Sequence, residues 1–281
     1  MSTVGKQCFE LRGADGGPLR GEVRSVGDGS DRPAVVICHG FKGFKDWGFF
    51  PYLANRLARA GMTAISFNFS GSGVGADGER FSEPERFGHA RLSNDLRDLQ
   101  LVVTALKEGA LSAGLAEQHA YGLFGHGRAG GVSSLHAADS DSAKAMVTWA
   151  APATPLRWDD ATVASWRREG RRDVVNQRTG EVLPLYTDFW DDLAEQGPVL
   201  DITQAATRVR AKWLILHGAA DEAVPRGDAR KLHGAAPKVS ELKIVPGAGH
   251  TFGARHPWGG PTPELDAAFV ATVGWFSDNL F

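Results

Sequence analysis

The chain has 281 residues, of which 42% are hydrophobic and 23% charged, the proportions of a soluble globular protein. Its formal net charge of −2 creates no strong field for nucleic acid or an anionic membrane surface, so neither is expected as a partner. The start of the chain lacks the pattern of a signal peptide, no apolar run is long enough to cross a bilayer, and two cysteines make no disulfide framework. These features predict a cytoplasmic protein.

The first seventy residues predict an antiparallel pair followed by alternating strands and helices. The predicted strands are at 7–12, 21–26, 33–38 and 62–68, and a helix is predicted from Phe50 to Gly61. The run 33–38 is continuously apolar, which is typical of a strand buried on both faces. Cys38 lies within this run and is expected to be a small buried hydrophobe.

Further along, helices and strands continue to alternate. A long helix is predicted at 87–108 from an apolar stripe that contains Leu92, Leu99 and Leu106. Strands are predicted before the turn at 125–130 and at 145–149, 213–217 and 242–245, with a helix from about 227. The last helix should begin at Thr262-Pro263, a good N-cap followed by a good first residue. The alternation predicts an α/β fold with a mostly parallel central sheet and helices on both faces.

One segment, residues 154–199, interrupts this pattern. It is rich in charge and holds three tryptophans and four clustered arginines: Trp158, Trp166, Trp190, Arg167, Arg168, Arg171 and Arg172. It also contains a predicted hairpin at 174–183 that turns near Gly180. Because the segment is too short to bury a large core, we interpret it as an inserted lid in a single domain that spans 1–281. The arginines are most simply a solvated face, with attraction of a carboxylate-bearing substrate as the alternative.

Glycine-rich turns follow several predicted strands, where ligands bind in open α/β sheets. These turns are His39-Gly40-Phe41, Gly125-His126-Gly127-Arg128-Ala129, the stretch 217–225 and the stretch 247–252. In order and spacing they resemble the motifs of the α/β-hydrolase superfamily, in particular the lidded serine esterases and the dienelactone-hydrolase-like enzymes. The resemblance covers essentially the whole chain.

The resemblance implies a serine-hydrolase site. Gly127 stands at the nucleophile position of the G-x-S-x-G elbow, Asp221 matches the acid, and His250 matches the general base. The backbone N–H groups of Phe41 and Arg128 match the two oxyanion donors. The implied activity is hydrolysis of an ester, a lactone or a similar acyl bond in a small molecule, with no cofactor and no metal. In such a site the base takes the serine proton, the acid orients the base, and the donors stabilise the developing oxyanion.

The nucleophile position departs from the pattern, because glycine has no side chain that can attack an acyl carbon. Ser133 and Ser134 cannot substitute, since they lie one to two helical turns beyond the elbow. Three interpretations stay open. The chain is an inactivated variant of a protein with serine at 127; or it is a family member that binds or signals without hydrolysis; or His250 and Asp221 activate a water in place of the missing side chain.

Other functions are weaker alternatives. Residues 125–130 also fit G-x-G-x-x-G, a dinucleotide-binding fingerprint, but the next strand is followed by no carboxylate for a ribose. His39 and His217 are interpreted as structural turn residues, and His126 as a residue that packs or lines the pocket. The nine histidines show no metal-binding spacing. The sequence leaves the acyl preference and the oligomeric state open.

Overall fold

A computed structural model describes residues 3–27, 32–176 and 180–281. The first elements are β1 (Val4–Arg12), β2 (Pro18–Val26), β3 (Ala34–Cys38), α1 (Phe50–Arg59) and β4 (Thr63–Phe67). They are followed by α2 (Pro84–Gly88), α3 (Leu92–Lys107), β5 (Tyr121–His126), α4 (Arg128–Ala138) and β6 (Ala143–Trp149). Next come α5 (Asp160–Glu169), β7 (Arg171–Val175), β8 (Val182–Tyr186), α6 (Asp188–Gln196) and α7 (Ile202–Ala206). The chain closes with β9 (Lys212–Gly218), α8 (Arg226–Ala235), β10 (Ser240–Val245) and α9 (Pro263–Leu280).

Eight strands form one sheet in the order β1-β2-β4-β3-β5-β6-β9-β10. The pairs β1/β2 and β2/β4 are antiparallel, and all other neighbours are parallel. Every residue of the central strands β3 and β5 is buried, as expected for parallel strands covered on both faces. The predicted mostly parallel sheet is confirmed, and so is the antiparallel pair at the start of the chain.

Two glycines of β5 identify the helices on the two faces of the sheet. A Cβ built on Gly122 would lie 2.8 Å from the Phe276 ring of α9, whereas one on Gly125 would lie 2.5 Å from the Ala129 carbonyl oxygen of α4. Residues three apart on a strand point to opposite faces, so α9 and α4 cover opposite sides. Helix α1 contacts α9, while α3 and α7 contact α4. Within the described ranges, every helix is too short or too polar to cross a membrane.

The predicted start of the last helix is confirmed. The Thr262 side chain accepts the N–H of Leu265 at 3.2 Å, and Pro263 is the first helical residue. The side-chain cap satisfies one of the N–H groups that a helix start leaves without an acceptor. Helix α9 is thereby positioned to pack its buried face, which includes Phe269 and Phe276, onto the sheet.

The long helix predicted at 87–108 is present, but the predicted start is wrong: it begins at Leu92, and a separate short helix precedes it. Helix α2 ends at Gly88, where Tyr186 packs so closely that a Cβ on Gly88 would lie 2.6 Å from its ring. Helix α3 then starts anew, and the N–H of Ser93 donates to Asp192 Oδ2 at 2.9 Å. This acceptor lies 99 positions along the chain, so local sequence could not indicate the new helix start.

Residues 154–199 form a segment between β6 and α7 with a small aromatic core of its own. The Trp166 side chain is almost completely buried, and its Nε1–H donates to the Leu185 carbonyl oxygen at 2.9 Å. The rings of Trp158, Phe189 and Trp190 pack around it. The two strands of the predicted hairpin are confirmed as the antiparallel pair β7/β8. The positions 177–179 of the predicted turn lie outside the described residues.

Candidate active site

The turn at 125–130 is a tight elbow between β5 and α4. Gly127 has φ +54° and ψ −127°, a conformation that is strained for a residue with a side chain. The neighbouring glycines are required by close packing. A Cβ on Gly125 would lie 2.5 Å from the Ala129 carbonyl oxygen, and one on Gly130 would lie 2.6 Å from the Ala151 Cβ. Every glycine of the G-x-G-x-x-G pattern therefore has a structural reason that involves no dinucleotide.

Asp221 and His250 come from the loops after β9 and β10 and meet at the edge of the sheet. His250 Nδ1 lies 2.9 Å from Asp221 Oδ2. The Asp221 side chain has no exposed surface, and its Oδ1 accepts the N–H groups of Ala223 and Val224 at 2.8 and 2.9 Å. Burial alone would raise the pKa of Asp221, but the hydrogen bonds from His217 and His250 hold that pKa well below its ordinary value. Asp221 is therefore an ionised acceptor that orients the His250 ring.

His250 faces the elbow. A Cβ built on Gly127 would lie 3.2 Å from His250 Nε2 and 3.5 Å from its Cε1. With Nδ1–H donated to the Asp221 carboxylate, the neutral ring has its Nε2 lone pair available on the side of position 127. A hydroxyl attached to that Cβ would be within hydrogen-bond reach of Nε2.

The turn at 39–41 packs directly against the elbow. A Cβ on Gly40 would lie 2.9 Å from both Nδ1 and the carbonyl oxygen of His126, so this position requires glycine. The Cα of Gly40 lies 4.0 Å from the Cβ position of Gly127. Among the described residues, the N–H of Phe41 has no protein acceptor. Arg128 is the first residue of α4, and its N–H has no acceptor within the helix.

The Arg128 side chain anchors the start of α4. Its Nε–H donates to Asp95 Oδ2 of α3 at 2.7 Å, and its guanidinium lies 5.9 and 5.5 Å from the ring centroids of Phe41 and Phe189. Burial raises the pKa of Asp95 to about 6, against the opposing effect of the Arg128 charge. The ion pair fixes the residue whose backbone N–H is an expected oxyanion donor.

Two histidines hold the loops of the site in place. Buried His39 donates from Nδ1 to the Gly40 carbonyl oxygen at 3.0 Å and accepts the Phe69 N–H at Nε2 at 3.2 Å. Burial lowers the pKa of His39 to about 4, which keeps the ring neutral. His126 Nε2–H donates to the His250 carbonyl oxygen at 2.9 Å. His126 thus supports the loop that presents His250, which is the packing role that the sequence left as one of two alternatives.

His217 has a role that the sequence analysis missed. Its ring is completely buried, and Nε2 lies 2.9 Å from the Val224 carbonyl oxygen and 3.3 Å from Asp221 Oδ2. His217 therefore contacts Asp221 as well as the backbone of the turn that follows β9. His217 lies near the end of β9, and Asp221 lies four residues further on in the loop that follows; this short separation was the signal that could have indicated the contact.

A cavity of about 380 Å³ opens beside His250. Its apolar wall consists mainly of Phe41, Leu92, Trp158, Val174, Phe189 and Ile202. Three cationic side chains, those of Lys42, Arg128 and Arg157, also line it, and no carboxylate of the described residues does. Much of this wall comes from the 154–199 segment, and sequence reasoning did not identify Arg157 as a wall residue.

Several other candidates lie away from this cavity. Ser133 and Ser134 are completely buried in α4, and the Ser134 hydroxyl donates to the Gly130 carbonyl oxygen at 2.9 Å. The arginines of the 167–172 cluster are exposed, as a solvated face requires, and none of them lines the cavity. Among the residues that the structure describes, no group of three or more His, Cys, Asp or Glu side chains could hold a metal ion.

The mostly parallel sheet, the glycine elbow after β5 and the acid and histidine after β9 and β10 define the class of fold. The chain has the α/β-hydrolase fold, as the sequence motifs predict. No protein-family model and no curated protein matches the sequence.

Solved structures with this fold cover nearly the whole chain. The esterase domain of a Rhodothermus marinus protein matches with a TM-score of 0.64 and 16% identity, over 99% of this chain and 100% of that one. Est1E of Butyrivibrio proteoclasticus, solved with ferulic acid bound, matches with a TM-score of 0.72 and 18% identity, over 96% and 98% of the two chains. The dienelactone hydrolase of Anabaena variabilis matches with a TM-score of 0.65 and 17% identity, over 99% of each chain. The likeness is one of fold at low sequence identity.

Proposed function

We propose that this site is that of a serine-type hydrolase of esters, lactones or similar acyl bonds, and that Gly127 leaves this chain without the nucleophile. The observation that carries the proposal is the 3.2 Å separation between the Cβ position of Gly127 and His250 Nε2. The buried, ionised Asp221 on the other side of the His250 ring supports it. Solved proteins of the same fold that are named as an esterase and a dienelactone hydrolase support the reaction class.

The chemistry of the complete site follows from these positions. With serine at 127, the hydroxyl oxygen attacks the acyl carbon while its proton passes to His250 Nε2, and Asp221 stabilises the imidazolium. The former carbonyl oxygen carries the negative charge and accepts hydrogen bonds from the N–H groups of Phe41 and Arg128. The bond to the alcohol then breaks, and the alcohol takes the proton from His250. A water activated by the same ring finally releases the acid.

With glycine at 127 the first of these steps has no attacking atom. In a serine-protease triad, loss of the nucleophile lowers turnover on the order of 10⁶-fold, while binding and the oxyanion donors preserve some acceleration. We therefore expect the chain to bind an acyl ligand and to turn it over at most slowly, through a water that His250 activates. The 154–199 segment would act as the lid, because it supplies Arg157, Trp158, Val174 and Phe189 to the cavity wall.

The test is to supply the missing hydroxyl and to compare it with a matched methyl group. Gly127→Ser should hydrolyse 4-nitrophenyl butyrate with a kcat/KM at least roughly 10³-fold above that of Gly127→Ala. The alanine variant introduces the same backbone strain and no hydroxyl, so it isolates the nucleophile. Equal rates in two folded variants, as judged by circular dichroism, would overturn the assignment of position 127.

A second candidate function is ligand binding without catalysis, and Gly127 itself is the observation that favours it. Under this alternative the chain binds an ester in the cavity, and Gly127→Ser adds no hydrolysis. Trp158 lines the cavity, so its fluorescence reports occupancy in the presence or absence of turnover. Saturable quenching of tryptophan fluorescence by the ester, with no acid released by the parent chain or by Gly127→Ser, would favour the binding function.

A further inference from the structure

We propose that the ligand of this cavity carries a carboxylate and that Arg157 binds it. The inference deepens the proposed function by naming the substrate class as anionic esters or lactones, and for hydrolysis it rests on that function. Binding of the anion is a separate property, because Arg157 lies on the cavity wall and not at position 127.

The first observation is that Arg157 has no contact partner for its charge among the described residues. Among the described residues its guanidinium makes no hydrogen bond and no ion pair, although it lines the same cavity as His250. The three residues of the 154–199 segment that lie outside the description are Gln177, Arg178 and Thr179, none of which is acidic. None of these three residues could therefore supply a carboxylate that pairs with Arg157.

The second observation is that the carboxylates near Arg157 are already engaged. Burial lowers the pKa of Arg157, and the charges of Asp221 and Asp228 oppose that effect. Asp221 is hydrogen bonded to His250 and to the backbone of its own turn, and Asp228 Oδ2 accepts the Ala153 N–H at 3.1 Å. Both acids act on Arg157 from a distance, so its donors remain open to a ligand.

The third observation is the contrast with the other cations of the wall. Arg128 is held in an ion pair through Nε–H to Asp95 at 2.7 Å, although its Nη2 has no hydrogen-bond partner among the described residues, and Lys42 Nζ donates to the Val175 carbonyl oxygen at 3.1 Å. Arg157 is the wall cation without such a contact in the described part of the chain. A guanidinium presents a planar fork of donors that matches a carboxylate bidentately. The aromatic rings of Trp158 and Phe189 nearby reduce access of water, which strengthens an ion pair formed in the cavity.

The exposed arginine cluster does not offer the same site. Arg168 pairs with Glu169 at 3.3 Å and Arg171 pairs with Asp173 at 2.7 Å, both on the protein surface. Arg172 is exposed, lies outside the cavity and makes no ion pair among the described residues. It is therefore a suitable control for the loss of one positive charge from the 154–199 segment.

The binding experiment uses the chain as it is, with glycine at 127. Phenyl hydrogen glutarate and phenyl valerate have the same acyl length and differ in a terminal carboxylate, and tryptophan fluorescence gives their Kd values. We expect the glutarate ester to bind at least about tenfold more tightly, the size of one charge-assisted hydrogen bond. Arg157→Gln should abolish this preference, Arg157→Lys should retain part of it, and Arg172→Gln should leave it unchanged. An unchanged preference in Arg157→Gln, or an equal loss in Arg172→Gln, would overturn the proposal.

The hydrolysis experiment separates this inference from the proposed function. In the Gly127→Ser background, the ratio of kcat/KM for the 4-nitrophenyl esters of glutarate and valerate should fall about tenfold with Arg157→Gln. Hydrolysis with no preference for the anionic ester would overturn the role of Arg157 and leave the proposed function standing. An Arg157-dependent binding preference without hydrolysis in Gly127→Ser would support anion binding and contradict the proposed function.

Discussion

The groups proposed for the chemistry and the group proposed for recognition differ in how they are paired. On the sheet edge, Asp221 is hydrogen bonded to His250 and to two backbone N–H groups, and His126 holds the His250 carbonyl oxygen. On the 154–199 segment, Arg157 makes no such contact among the described residues. A buried polar group that is paired keeps its position, because breaking the pairing would leave it without a partner at a cost in free energy. The comparison assigns the proposed chemistry to the sheet edge and the proposed recognition to the segment.

The largest expected effect is a loss of the proposed chemistry with little change in ligand binding. In the Gly127→Ser background, His250→Ala should lower kcat roughly 10⁴-fold or more, because the serine hydroxyl loses its base. KM should change little, since His250 contributes only one part of a mostly apolar wall. Initial rates of 4-nitrophenyl butyrate hydrolysis over a range of substrate concentrations give both constants. Retention of most of the activity would mean that Nε2 does not serve position 127.

The next effect is a loss of ligand recognition by the 154–199 segment. Trp166→Ala removes the most buried ring of the 154–199 segment and should destabilise it by about 3 kcal/mol. In the Gly127→Ser background, KM should rise more than kcat falls, because the displaced groups line the cavity and do not react. Trp275→Ala is the control for the loss of a hydrogen-bonded tryptophan outside the segment, since Trp275 lies on α9 and donates to the Lys212 carbonyl oxygen away from the cavity. An equal rise of KM in the control would contradict the assignment of recognition to the segment.

A smaller effect concerns the strain at the elbow. Gly127→Ser and Gly127→Ala should each lower the free energy of unfolding by about 1 to 3 kcal/mol, because both place a Cβ on a residue with φ +54°. Urea denaturation measures this difference. Gly227→Ala in α8 is the control: a Cβ there meets no atom within 4 Å, and the change should stabilise the helix slightly. A nucleophile variant as stable as the parent would show that the elbow tolerates a side chain without strain.

The smallest effect is a pH dependence of the stability. Its cause is Asp95, which pairs with Arg128 at the start of α4. Burial raises the pKa of Asp95 from its ordinary value of 3.8 to about 6, so the folded state binds this proton more tightly than the unfolded state does. Its contribution therefore favours folding most at low pH and diminishes as the pH rises from about 4 to 6. Between pH 5 and pH 7 the Tm of the parent should fall relative to that of Asp95→Asn, in which the group does not titrate. A constant difference between the two Tm values would show that Asp95 is not perturbed.

The sheet edge was largely predictable from the sequence because its constraints are local. Gly40, Gly125 and Gly130 each lie where a Cβ would collide with a neighbouring atom, so close packing requires glycine at these motif positions. Asp221 and His250 follow apolar strands whose carboxyl ends must meet at one edge of a parallel sheet. Their place after these strands and the resemblance to the α/β-hydrolase motifs predicted that they would lie together, and the 2.9 Å contact shows that they do.

The rest depended on contacts between distant parts of the chain. Helix α3 starts where Asp192 accepts the Ser93 N–H, and Asp95 of α3 forms an ion pair with Arg128 of α4. Which side chains of the 154–199 segment face the cavity depends on how its small aromatic core docks onto the sheet. Arg157 therefore could not be distinguished by sequence from the exposed arginines that follow it.

We propose above that His250 Nε2 lies close enough to position 127 to activate a nucleophile there. The most direct measurement is labelling of Gly127→Ser with a fluorophosphonate, followed by mass spectrometry of the peptide that contains position 127. We expect one stoichiometric adduct on that peptide, which is lost in the Gly127→Ser, His250→Ala double variant and absent from Gly127→Ala. A folded Gly127→Ser chain that takes up no label, or that is labelled equally well without His250, would contradict it.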